Sequence, residues 1–265
     1  MNNPEIKLFN EIIQFLESER EIYGPFSLPD SSVEPEQALN TDTVNKPDTS
    51  ISANSSASEW LTLHSEGKPL SLLEKLDACK SLEELKLFCG KANELRTDLN
   101  GTRLVFGVGN PNADLMLIGE APGEQEDIQG EPFVGAAGQL LNKILEAINF
   151  KREDVYIANI LKHRPPGNRN PNPDERQRSL PYLLRQIDLI RPKIILCLGK
   201  ISGTTLLNKD DSLGNLRGVF YPFRGAELTV TYHPAALLRN PQWKRPVWED
   251  VQRVRKRYDE LGGKP

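Results

Sequence analysis

The sequence predicts an α/β fold in three layers, a four-stranded parallel sheet flanked by helices, on three observations. Four short apolar runs recur in the C-terminal part: ADLMLIG (113–119), DVYIANI (154–160), KIILCLG (193–199) and ELTVTY (227–232). Segments with helical spacing lie between them, AGQLLNKILEAINF and PDERQRSLPYLLRQIDLI most clearly and ISGTTLLN less so. The runs are near-continuously apolar, which is how strands read when helices cover both faces of a parallel sheet.

Taken in order, the elements divide the chain into three parts. Residues 1–23 hold Ile6, Phe9, Ile12, Ile13 and Leu16 at helical spacing and predict an N-terminal helix. Residues 24–58 are rich in Ser, Pro, Asn, Asp and Thr. They carry too little apolar surface to offset the entropy of ordering, so a disordered acidic linker is expected. Residues 70–265 are expected to form one α/β domain that holds the four runs. It opens with SLLEKLDACK and SLEELKLFCGKANEL, each a Ser followed three residues later by Glu, the signature of a capped helix start. WKRPVWEDVQRVRKRYDEL closes it as a final helix.

Composition narrows the function classes. The 265 residues are 38% hydrophobic and 26% charged, with a net charge of −4. That balance is uneven: residues 1–70 carry 4 Lys/Arg and 12 Asp/Glu, the remainder 29 and 25. The C-terminal part is therefore mildly basic, which permits nucleic-acid binding. No apolar run approaches the ~20 residues of a membrane helix, and the N-terminus lacks a secretory pattern. Three Cys give no disulfide framework. A cytoplasmic protein without membrane contact is expected.

In open parallel sheets the ligand lies outside the carboxyl ends of the strands. Here the first run leads into Glu120, the second ends at Asn159, the third at Gly199, and the fourth leads into His233. A carboxylate, a carboxamide and an imidazole thus converge on one sheet edge. No Ser or Cys sits in a nucleophile elbow, no phosphate loop ends in Lys-Ser/Thr, and His64, His163 and His233 show no metal-ligand spacing. A carboxamide can pair with a carbonyl and an N–H on one nucleobase edge. A neutral His can donate to an oxygen that turns anionic as a base leaves. A carboxylate can position water or stabilise an oxocarbenium-like sugar. The set suits cleavage of an N-glycosidic bond.

GEAPGEQEDIQGEPFVGAAGQLLNKIL, VYIANILKHRPPGNRNPNPDE and YHPAALLRNPQWKRPVWEDVQ resemble the family 4 uracil-DNA glycosylases, over roughly residues 103–255. The resemblance implies removal of uracil from DNA by base flipping, leaving an abasic site. It implies that Glu120 activates the attacking water and that Ala121 and Gly123 shape the pocket through their backbone. By the same resemblance Phe133 would stack on the flipped base, Asn159 would read its edge, and His233 would bind the uracil O2 and stabilise the departing anion. Leu237 would be the wedge filling the vacated space, with Arg164, Arg239, Lys244 and Arg245 expected towards the DNA phosphates. The expected partner is uracil-containing DNA, the expected state a monomer, and residues 1–23 are a docking segment for a protein partner. The other reading is a catalytically weak DNA- or nucleotide-binding module that kept the fold.

The chain departs from the family at one place. Most members carry a four-iron, four-sulfur cluster held by four Cys, two of them in a CxxC before the first strand. Here His163 and Ser179 stand at the third and fourth positions, and Cys79 and Cys89 form no CxxC. Three misplaced Cys cannot supply four ligands. The expectation is therefore an enzyme with no cofactor, no metal and no iron–sulfur cluster, His163 being a former ligand position.

Overall fold

The computed structural model describes residues 70–264. The N-terminal helix and linker expected within 1–58 lie outside these residues. The element order is α1 (Leu72–Ala78), α2 (Leu82–Lys91), β1 (Val108–Gly109), β2 (Leu115–Gly119), α3 (Glu124–Gln129), α4 (Ala136–Ala147) and β3 (Tyr156–Asn159). There follow α5 (Pro173–Ile190), β4 (Ile194–Leu198), α6 (Lys200–Leu207), α7 (Leu213–Leu216), β5 (Tyr221–Phe223), β6 (Ala226–Thr231), α8 (Pro234–Arg239) and α9 (Lys244–Glu260).

The strands form one sheet in the order β1-β3-β2-β4-β6-β5. Its centre is the expected parallel set β3-β2-β4-β6. Two short antiparallel edge strands, β1 and β5, extend it to six. β2, β3 and β4 are buried throughout, as their apolar runs require.

Alternate residues of each strand face opposite helical layers. Leu115, Leu117, Ile157, Leu196 and Leu198 pack with Leu140, Leu141 and Ile144 of α4 and Val247, Val251 and Val254 of α9. Met116, Ile118, Ala158, Ile195, Cys197 and Val230 pack with Leu183 and Ile187 of α5 and Leu206 of α6. Each such side chain contributes about 1.5–3 kcal/mol on burial. Cys197 is a free, buried filler of the second layer.

The capped helix starts form as expected, with one difference. Ser71 accepts from the Glu74 N–H, and Glu74 accepts back from the Ser71 N–H at 2.7 Å. At α2, Ser81 accepts from the Glu84 N–H, but the Glu84 carboxylate turns to the N–H of Lys80. Both helices pack Leu76, Leu85 and Cys89 around Phe106 and Tyr182, a third apolar cluster against α5.

Candidate active site

The carboxyl ends of β2, β3 and β6 open into one cleft of about 370 Å³. Glu120, Ala121, Gly123, Phe133, Asn159, His233 and Arg239 all line it. The parallel register sets the first two strand ends side by side, Gly119 opposite Asn159. The ladder then runs one step further: the Ile160 N–H donates to the Gly119 carbonyl, and the Leu161 N–H to the Glu120 carbonyl, both at 3.0 Å. Glu120 thus has a fixed backbone although it lies beyond the strand.

Burial pushes the Glu120 carboxyl up to about 7, against the lowering effect of Arg176. A carboxylate poised there can take a proton from water near neutral pH.

Asn159 is fully enclosed, and its Oδ1 is buried without a hydrogen-bond partner. An unpaired buried carbonyl oxygen costs about 1–3 kcal/mol. It is a cost recovered when a ligand N–H arrives.

His233 caps α8. Its Nδ1 accepts from the Ala235 N–H at 3.2 Å. A backbone N–H can only donate, so Nδ1 carries no proton and the neutral ring bears its hydrogen on Nε2. Burial lowers the ring's pKa to about 4, with Arg239 acting in the same direction. The imidazole is therefore a neutral Nε2–H donor at working pH. Its approach depends on Gly199, at φ 102°, where a Cβ would stand 3.2 Å from the His233 Cβ.

Phe133 adopts φ 54°, rare for a non-glycine residue. Its ring centre is 5.4 Å from that of His233. One side chain holds this conformation in place. Glu126 accepts from the N–H groups of Val134 and Gly135 at 2.9 Å and from that of Gly123 at 3.1 Å. It ties the Phe133 turn to the loop after Glu120. Arg152 adds a bond to the Pro132 carbonyl at 2.6 Å. Glu126, Arg152 and Gly119 were not among the residues expected from sequence. The only hint was a strand ending in Gly before an acidic EQED stretch.

Two residues expected to contact DNA are buried in this structure. Leu237 is 2% exposed and packs beneath α8 against Leu140, Ile144, Val247 and Val251. Pro234 and Leu237, three apart on α8, face the core, whereas Ala235, Ala236 and Arg239 face the cleft. In this DNA-free packing Leu237 is a core side chain. Leu237→Ala should therefore cost roughly 2–5 kcal/mol of stability, and urea unfolding is the measurement. An unchanged midpoint with impaired base flipping would restore the wedge. Lys244 is likewise buried in that crevice, away from solvent. Arg239 and Arg245 are exposed, Arg245 beside Glu249. Arg164 is half-buried, donating to Asn168 and lying 3.5 Å from Glu124.

The model of the Uracil DNA glycosylase superfamily matches residues 106–252, which contain every one of the cleft residues named above. The chain belongs to the uracil-DNA glycosylase superfamily. The Type-4 uracil-DNA glycosylase of Saccharolobus solfataricus is 47% identical over 61% of this chain and 77% of its own length. That of Archaeoglobus fulgidus is 43% identical over 58% and 81%. That of Sulfurisphaera tokodaii is 40% identical over 71% and 93%.

This placement overturns the expectation of an enzyme without a cofactor. The relatives are Type-4 uracil-DNA glycosylases, and that family carries an iron–sulfur cluster. A cysteine count does not set the family's cofactor aside. The described side chains do not fit a cluster with four Cys ligands. His163 Nδ1 is 3.0 Å from the Thr102 hydroxyl, and Ser179 donates to the Ile160 carbonyl at 2.7 Å. Burial raises the thiols of Cys79 and Cys89, the latter to about 12. Among the described residues no three His, Cys, Asp or Glu gather as metal ligands. Among the same residues no helix is long and apolar enough to cross a membrane.

Proposed function

We propose that this chain excises uracil from DNA by hydrolysing the N-glycosidic bond, releasing uracil and leaving an abasic site. It belongs to the uracil-DNA glycosylase superfamily, and relatives 40–47% identical to it are named Type-4 uracil-DNA glycosylases. The observation that carries the base assignment is the unpaired, buried Asn159 Oδ1 at the floor of the cleft.

In this reading Asn159 Oδ1 accepts from uracil N3–H, and its NH₂ donates to O4. Phe133 stacks on the flipped ring, worth roughly 1–3 kcal/mol. The backbone at Ala121 and Gly123 bounds the pocket. Water adds to C1′ as the C1′–N1 bond breaks, its proton passing to Glu120 and the bonding pair leaving with uracil. The His233 Nε2–H donates to O2, where negative charge accumulates. Arg239, Arg245 and Arg164 serve phosphates around the cleft. The chain acts as a monomer, with residues 1–23 as a docking segment for a protein partner. This last part rests on composition and spacing alone. No cleft observation favours a catalytically weak module, since Glu120, Phe133, Asn159 and His233 all face one space.

The test is excision from a uracil-containing oligonucleotide, read by gel after alkali, from pH 5 to 9. Cleavage should appear only after alkali, because no amine lines the cleft as a strand-nicking nucleophile among the described residues. Glu120 must be ionised to accept the water's proton. The value of kcat/KM should therefore fall about tenfold per unit below pH 7. His233, with its pKa lowered to about 4, adds no second step in that range. A rate independent of pH down to 5 would remove Glu120 as the base, and no cleavage at any pH would refute the function.

A further inference from the structure

Lys162 is fully buried three residues beyond Asn159 and does not line the cleft. Its ammonium donates to the Asn159 carbonyl at 2.9 Å, to Gln186 Oε1 at 2.5 Å and to the Phe106 carbonyl at 3.3 Å. Burying a cation is costly unless its donors are all used. Three acceptors are present here for three donors.

The place of this ammonium in the sheet explains what it does. β1 pairs with β3 only at Ile157 and Tyr156. The next backbone bond between the two segments is the Val105 N–H to the Lys162 carbonyl at 2.8 Å, and between it and the β1 pairing lies a gap that the carbonyls of Phe106 and Asn159 face. Lys162 fills the gap and bonds to both. On the far side, the Ile160 N–H donates to the Gly119 carbonyl. The peptide unit that follows Asn159 is thus held at both ends, by Gly119 through its N–H and by Lys162 through its C=O. Gln186 steadies the ammonium and donates to the Phe106 carbonyl at 3.1 Å.

We infer that Lys162 is a positioning residue for base recognition: its ammonium fixes the peptide after Asn159 and so aims the Asn159 carboxamide at the uracil edge. The inference rests on the assignment of Asn159 as the reader of the base. Lys162 touches no substrate, so its effect must pass through Asn159, and a double-mutant cycle isolates that path.

The experiment uses the full chain as Lys162→Met, Asn159→Ala and the double variant. Single-turnover excision of uracil and inhibition by free uracil are measured, with binding to an abasic duplex as the control. Lys162→Met should lower excision and weaken uracil inhibition by about tenfold or more each, leaving abasic-duplex binding unchanged. In the Asn159→Ala background the same change should cost less than about twofold more, because the group it aims is gone. Gln186→Leu, read in the same way, replaces Lys162→Met if circular dichroism shows that variant unfolded. It should give a smaller loss with the same non-additivity. A repeated full loss in the Asn159→Ala background overturns the positioning role alone. An Asn159→Ala variant that excises uracil normally overturns the base assignment, and the inference with it.

Discussion

Asn159→Asp should reduce uracil excision by at least about 10⁴-fold. The carboxamide offers one acceptor and one donor to one edge of the base, matched to uracil N3–H and O4. An ionised aspartate offers two acceptors, so the O4 carbonyl meets an oxygen where it met an N–H. The position is enclosed and the carboxamide oxygen is already unpaired there. A charge placed at that spot is desolvated without a facing donor, and sites built around buried polar groups discriminate steeply for this reason. Cytosine presents an amino group and a bare N3, the reverse pattern. A protonated aspartate can accept from the first and donate to the second, so weak cytosine excision should appear as uracil excision collapses. Single-turnover assays on duplexes with uracil or cytosine opposite guanine measure both. Uracil excision within a few-fold of wild type would dismiss Asn159 as the reader.

How much of this was legible in the sequence depends on the kind of interaction. The four central strands were legible because burial on both faces writes an unbroken apolar run. β1 and β5 have two and three residues and are not fully buried, so no pattern marks them. Glu120, Asn159 and His233 could be placed on one edge because a parallel sheet gathers its strand ends. Glu126 and Lys162 could not, since both act through backbone N–H and C=O groups, which no side-chain pattern in the sequence marks. Leu237 is a case where two sequence signals point different ways. Its motif position suggested a wedge, while its helical phase, three residues after buried Pro234, put it in the core. The cofactor was misjudged from a cysteine count, which speaks of ligands one by one and not of the family the chain belongs to.

Gly119→Ala tests the cleft from beneath, at a residue with no side chain of its own. A Cβ built there would stand 2.3 Å from Asn159 Oδ1 and 2.6 Å from the tip of the Phe133 ring. Its φ is not among the positive values, so the backbone accepts alanine and only space opposes it. The obstructing atoms are the ends of two side chains, which can move where a strand could not. The fold should therefore survive, with an overpacking cost of about 1–3 kcal/mol. The two side chains that would give way are those assigned to read the base and to stack on it. A shift of about 1 Å in a positioning group costs on the order of 10²-fold in rate. Excision should fall by about that factor and inhibition by free uracil should weaken with it, while binding to an abasic duplex stays near wild type. Abasic-duplex binding lost in proportion to excision would mean that the methyl group had disturbed the DNA surface. Excision within about threefold of wild type would mean that the base does not lie between Asn159 and Phe133 at all.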